Sequence, residues 1–153
     1  MKFVADAMLG RLARRLRMLG CDILYQRDIE DGSLIRLAMR EDRIILTRDA
    51  RLAMRKAAQG RTFLISSEDL ATQLKEITQA FPAPQGAQAR CSLCNGELEL
   101  VEDRQKISGQ VPEHIYHSAE EFFICTRCGH VYWEGSHIEN FRQELHAGEK
   151  AEG

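Results

Sequence analysis

Apolar positions in the first eighty or so residues form short continuous runs separated by stretches of helical spacing. Phe3-Val4-Ala5 reads as a strand. Leu9, Leu12, Ala13, Leu16 and Leu19 then recur at helical intervals until Gly20 stops them. Ile23-Leu24-Tyr25 is a second strand, followed by a helix carrying Leu34, Ile35, Leu37, Ala38 and Met39. Ile44-Ile45-Leu46 is the third strand, with Leu52-Ala53-Met54 on the helix behind it. Thr62-Phe63-Leu64-Ile65 is the fourth, after which Ser66-Ser67-Glu68-Asp69 reads as a capping-box start for a helix with Leu70, Leu74 and Ile77 on one face. Runs without polar alternation are what strands show when both faces are covered. The pattern therefore predicts an α/β domain with a central parallel sheet and helices on both faces.

The periodicity breaks at Phe81-Pro82-Ala83-Pro84-Gln85-Gly86, a linker by composition. The expected organisation is a sheet domain over 1–82, a linker over 83–90 and a small cysteine-bearing module over 91–137. A closing helix over 138–146 and a flexible tail over 147–153 complete it. A chain of 153 residues, 44% hydrophobic, can bury an ordinary core. It has no apolar run approaching the roughly 18 residues a bilayer span needs, and MKFVADAML does not suit a signal peptide. A cytoplasmic location with reduced thiols is the expectation, so the five cysteines point to metal rather than disulfides. Cys21, alone in an apolar stretch, reads as a buried inert thiol.

The other four cysteines form two pairs, Cys91-Ser-Leu-Cys94 and Cys125-Thr-Arg-Cys128. A two-residue gap lets both sulfurs of a tight turn face one ion, and two such turns complete a tetrahedron. Asn95-Gly96 and Gly129 supply residues that tolerate positive φ after each pair. Strand-like stretches at Glu97 to Val101, Phe122-Phe123-Ile124 and Val131-Tyr132-Trp133 flank the turns, so the module reads as a β-rich zinc ribbon with a structural ion. Trp133 and His137 fall just after the second pair, in a polar-aromatic patch. Packing of the ribbon is the plainer role for Trp133, and stacking on a base the sharper one.

Net charge is −2, but unevenly spread. Residues 1–82 carry 15 Lys and Arg against 11 Asp and Glu; residues 83–153 carry 6 against 12. The basic first part hints at a polyanionic partner. In open α/β sheets the reactive crevice lies at the carboxyl ends of the strands. Asp6 ends the first strand and Asp49 follows the third, so a strand order of 2-1-3-4 would make them neighbours. A third acid can come from Asp28, Glu30 and Asp31 after strand two, although Asp31 is equally placed to cap a helix. Clustered carboxylates call for a divalent cation, and hard oxygen donors suit Mg²⁺ or Mn²⁺. Such an ion suits phosphodiester hydrolysis. Arg11, Arg14 and Arg15 beside Asp6, and Arg48, Arg51 and Arg55 beside Asp49, could hold the polyanion. Receiver domains and haloacid-dehalogenase-type phosphatases are excluded, because alanines flank Asp6 and Met8 stands where a second acid would be needed.

The run from Phe3 to Ala13, its continuation Leu16-Arg17-Met18-Leu19-Gly20, Leu46-Thr47-Arg48-Asp49, and Tyr132 to His137 after Cys128-Gly129 together resemble the Mut-seven carboxy-terminal ribonuclease domain. That family is a PIN-like three-layer nuclease fold carrying a zinc ribbon. The resemblance runs from Lys2 to about Leu145. It implies an RNA-cleaving enzyme with acids around Mg²⁺ or Mn²⁺. Asp6 and Asp49 match the first and third of the family's quartet, and Asp31 the second, ahead of Asp28. No fourth match is evident, since Ser66-Ser67 end the fourth strand. A non-catalytic RNA- or ribosome-binding adaptor is the alternative.

Overall fold

The computed structural model describes residues 1–133, which fall into two compact units divided after Asn95. The Ile138 to Leu145 helix, the tail, and His137 lie outside the described residues.

The first unit runs β1 (Lys2–Ala5), α1 (Gly10–Met18), β2 (Asp22–Tyr25), α2 (Asp31–Glu41), β3 (Ile44–Thr47), α3 (Ala50–Met54), β4 (Thr62–Leu64) and α4 (Leu70–Ala80). Its four strands are all parallel, in the order β2-β1-β3-β4. This is the α/β arrangement expected from the runs of apolar residues, and it puts the ends of β1 and β3 side by side. Val4 and Ile45 on one face pack with Leu34, Ile35 and Ala38 of α2 and Leu52 of α3. On the other face α1 and α4 pack together, and Phe81 at the end of α4 meets Phe3 and Phe63 edge-on, both at 5.3 Å. Leu12, Leu16, Leu46, Leu74 and Ile77 are all at most 2% exposed. Each such side chain contributes roughly 1.5–3 kcal/mol over an exposed one.

Local details depart from the expected ones. The helix at Asp69 is not started by a capping box. Asp69 itself is the N-cap and accepts from Thr72 N, while Glu76 reaches back to the backbone N–H groups of Ser66 and Ser67. Asp31 does not cap α2: Glu30 occupies the N-cap, and Asp31 is the first helical residue. Met39 and Met54, at the ends of their periodic runs, are 55% and 77% exposed. Cys21 is half-buried rather than fully buried, and burial pushes its thiol pKa up.

Gly10 opens α1 against the phenol of Tyr25, whose hydroxyl donates to Ala7 O at 2.9 Å. A Cβ at position 10 would lie 2.7 Å from Tyr25 Oη and 2.8 Å from Cζ. Alanine ordinarily gains about 1 kcal/mol over glycine in a helix, but overpacking of this kind costs about 1–3 kcal/mol. Gly10→Ala should therefore lower stability, read as a lower urea midpoint. A midpoint at or above that of the natural chain would contradict the packing described here.

The second unit, through Trp133, contains β5 (Leu98–Leu100), a single-turn 3-10 segment at Arg104–Ile107, α5 (Glu113–Ser118), β6 (Phe122–Cys125) and β7 (Val131–Trp133). The strands form an antiparallel sheet in the order β5-β6-β7. Between the expected strand stretches at 97–101 and 122–124, the chain builds a small core of its own. Ile107, Val111, Phe122 and Val131 are buried, with Ile115, Tyr116 and Trp133 packed against them. Arg104 lies 5.3 Å over the Phe122 ring and donates to the carbonyls of Tyr116, Ala119 and Glu120, closing the α5–β6 loop.

Among the described residues, no helix is long and apolar enough to cross a membrane.

Candidate functional site

Two groups of chemistry-bearing side chains emerge. The first is at the carboxyl edge of the parallel sheet. Asp6 follows β1, and its N–H continues the ladder to Leu46 O at 2.9 Å, so strand pairing fixes its backbone. Its side chain is buried, with the residue 7% exposed. Oδ1 accepts from Ala7 N (2.6 Å) and Oδ2 from Thr47 Oγ1 (2.7 Å). Thr47 closes β3 and is fully buried; its Oγ1 in turn accepts from Asp49 N at 2.9 Å. Asp49 then caps α3, with Oδ1 accepting from Arg51 N at 2.8 Å and Leu52 N at 3.4 Å. A single threonine hydroxyl thus joins the two acids that end neighbouring strands. Nothing in the sequence around Thr47 assigns it a role. The available signal was a hydroxyl ending an otherwise apolar strand, two residues before an acid.

No ion pair neutralises Asp6 among the described residues. Asp31 stands differently: its Oδ2 pairs with Arg55 at 2.9 Å, in a half-exposed contact. Asp28 and Glu30 are exposed. Arg11, Arg14 and Arg51 are exposed and Arg15 is half-buried. Arg48 pairs with Glu68 at 2.8 Å. The edge therefore brings Asp6 and Asp49 together and leaves Asp31 tied to a guanidinium.

The second group is the cysteines. The sulfurs of Cys91, Cys94, Cys125 and Cys128 all lie within 4.8 Å of one another. Around zinc, with Zn–S near 2.3 Å, tetrahedral sulfurs stand roughly 3.8 Å apart, so the set could hold such an ion after small adjustment. Among the described residues this is the group of three or more His, Cys, Asp or Glu side chains close enough to share an ion; Asp6, Asp31 and Asp49 do not form another. Arg127 N and Cys128 N donate to Cys125 Sγ from 3.4 and 3.5 Å. Asn95 and Gly129 take the positive φ values, 68° and 76°, that close the two turns.

Within the first unit, the Cys91–Cys94 turn is held by two buried polar residues, Arg17 and Asn95. Arg17 of α1, 4% exposed, donates from Nη1 to Ser92 O and Leu93 O and from Nε to Ile23 O. Asn95 accepts from Ile23 N at 3.1 Å and donates to Asp22 Oδ1 at 2.9 Å. Asp22 also receives Arg43 Nη1 at 2.8 Å. Burial alone would raise the Asp22 pKa, but the bonds from Arg43 and Asn95 outweigh it and hold the carboxyl below its ordinary value. Arg43, itself buried, further donates to Phe3 O and Glu41.

No curated protein and no solved structure matches the chain. A family model does: it matches residues 1–145, taking in both the acidic edge and the four cysteines. The chain belongs to the Mut7-C RNAse domain family.

Proposed function

We propose that this protein is a metal-dependent ribonuclease in which Asp6 and Asp49 form the centre of the active site. The observation carrying the reading is a buried carboxylate, Asp6, with no cationic partner among the described residues, whose Thr47 partner also accepts from the backbone N–H of a second acid, Asp49. An isolated buried charge is costly, and a hard divalent cation such as Mg²⁺ or Mn²⁺ offsets that cost. The donor chemistry fits: Asp6 and Asp49 offer oxygen ligands at the carboxyl edge of a parallel sheet, and Asp31 would join them on leaving Arg55. When bound, the ion supplies a hydroxide-forming water and stabilises charge at the attacked phosphate.

The chain's own residues do the rest. Thr47 holds the Asp6 carboxylate in one rotamer by donating to Oδ2 and anchors the turn to Asp49. The α3 N–H groups of Arg51 and Leu52 donate to Asp49 Oδ1 and keep that side chain oriented. Arg11, Arg14, Arg15, Arg48, Arg51 and Arg55 supply cations for an RNA backbone near this edge, with Trp133 and His137 as further contacts. The four cysteines hold a structural zinc: all four positions are sulfur, so none is left for water.

Cleavage of a labelled structured RNA with Mn²⁺ tests this. Asp49→Asn should lose most of the activity of the natural chain, and Asp31→Asn a smaller part. Equal cleavage by the natural chain and Asp49→Asn would reject the assignment. The Asp31–Arg55 pair favours a second reading, an RNA-binding adaptor without catalysis. Metal-independent RNA binding with no cleavage under any divalent ion would establish it.

A further inference from the structure

A cleft of about 290 Å³ opens beside the acids, lined by Met8 and Leu9 just after Asp6, by Arg48 just before Asp49, and by Arg11, Glu68 and Asp69 among others. Its charges balance only because Glu68 is present. Asp69 is committed to α4, accepting from both the N–H and the hydroxyl of Thr72, which holds its carboxyl below the ordinary value. Arg48 is half-satisfied. Nη2 donates to Glu68 at 2.8 Å, while Nε is shut off from solvent with no hydrogen-bond partner. These two nitrogens share one edge of the guanidinium plane, the edge that takes two oxygens of a phosphate side by side. Glu68 contributes one oxygen to it.

We propose that this cleft is a phosphate subsite in which Arg48, assisted by Arg11, takes a phosphate of the substrate strand, and that Glu68 is the gate the phosphate displaces. The proposal rests on the nucleic-acid reading above and names one contact within it. The gate is easily opened. Glu68 is 87% exposed on its side chain, and an ion pair so exposed is weakened by solvent screening. A bidentate phosphate both replaces that bond and satisfies the orphaned Nε, a buried donor that is costly to leave without an acceptor. Removing the negative charge of Glu68 leaves the cleft with a net positive charge.

The experiment is equilibrium binding of a short fluorescent 2′-O-methyl RNA by anisotropy, without added divalent ion, so that no cleavage is needed. Failure of the nuclease reading and failure of this proposal then remain distinguishable. Arg48→Met should weaken binding about tenfold, the worth of one charge-assisted bidentate contact. Arg48→Lys should fail to restore it, because an ammonium has no edge. Glu68→Gln, on an exposed side chain, should tighten binding about two- to fivefold. Adding a 5′-phosphate identifies the group: tighter binding that Arg48→Met abolishes marks a terminal phosphate, and unchanged binding marks an internal phosphodiester. Unaltered affinity in Arg48→Met, or in Glu68→Gln, overturns the proposal.

Discussion

Stripping the four-cysteine site of metal should unfold the second unit and leave the parallel sheet intact. The second unit has a small core: Ile107, Val111, Phe122 and Val131 are its described buried cluster, beneath a three-stranded sheet. So few buried side chains do not offset the chain entropy of ordering such a segment. Structural zinc contributes on the order of 10 kcal/mol at neutral pH, far more than this core supplies. The first unit has its own four-stranded sheet, covered on both faces, and needs no ion. Trp133 is the sole tryptophan and packs against the small core, so its emission reports on this unit alone. A strong zinc chelator should shift that emission to the red and expose the amides of 98–133 to rapid hydrogen exchange. Amides of β1 and β3 should stay protected. Cys91→Ser should do the same without chelator. Metal loss that leaves Trp133 emission and exchange unchanged would mean that the cysteines do not hold this unit together.

Asp6→Asn should abolish cleavage while leaving the protein as stable as before, or more so. Asparagine keeps an oxygen to accept from Thr47 Oγ1, while it gives up the charge and the acceptor that faces Ala7 N. A buried carboxylate without a cationic partner is a stability cost, so its neutralisation should hold or raise the urea midpoint. Mutation of the groups that merely support metal ligands costs 10–100-fold, so loss of a ligand itself should exceed roughly 100-fold in rate. Rate and midpoint together carry the meaning. A fall in rate with an unchanged or higher midpoint marks a functional carboxylate held at a cost to stability. A parallel fall in both marks a structural one, and undiminished cleavage removes Asp6 from the active site.

Much of this was legible from local spacing. The strands at Phe3, Ile23, Ile44 and Thr62 stand where apolar runs put them, because a parallel sheet covered on both faces needs uninterrupted apolar strands. The cysteine set was equally plain, since each pair closes a turn whose geometry is decided within five residues. The acids were half-legible. Asp6 and Asp49 are marked by following a strand, whereas Asp31, read as a third acid or a helix cap, pairs with Arg55, twenty-four positions along the chain. The helix and core between the cysteine pairs went unread, because Glu113–Ser118 is too short for helical periodicity to register.

The sequence by itself determined the strands and helices of the parallel-sheet unit, the strand-end position of Asp6 and Asp49, and the identity of the four sulfurs, since each depends on neighbours a few residues away. Only the tertiary structure decided how those pieces are wired. The order β2-β1-β3-β4 brings Thr47 to Asp6 across forty-one positions and Asn95 to Ile23 across seventy-two. The same folding sends Arg17 under the first cysteine turn and leaves Arg48 with half its edge unsatisfied. A buried polar group must find a partner wherever the fold supplies one. That partner is set by strand order and helix packing, and no local pattern encodes it.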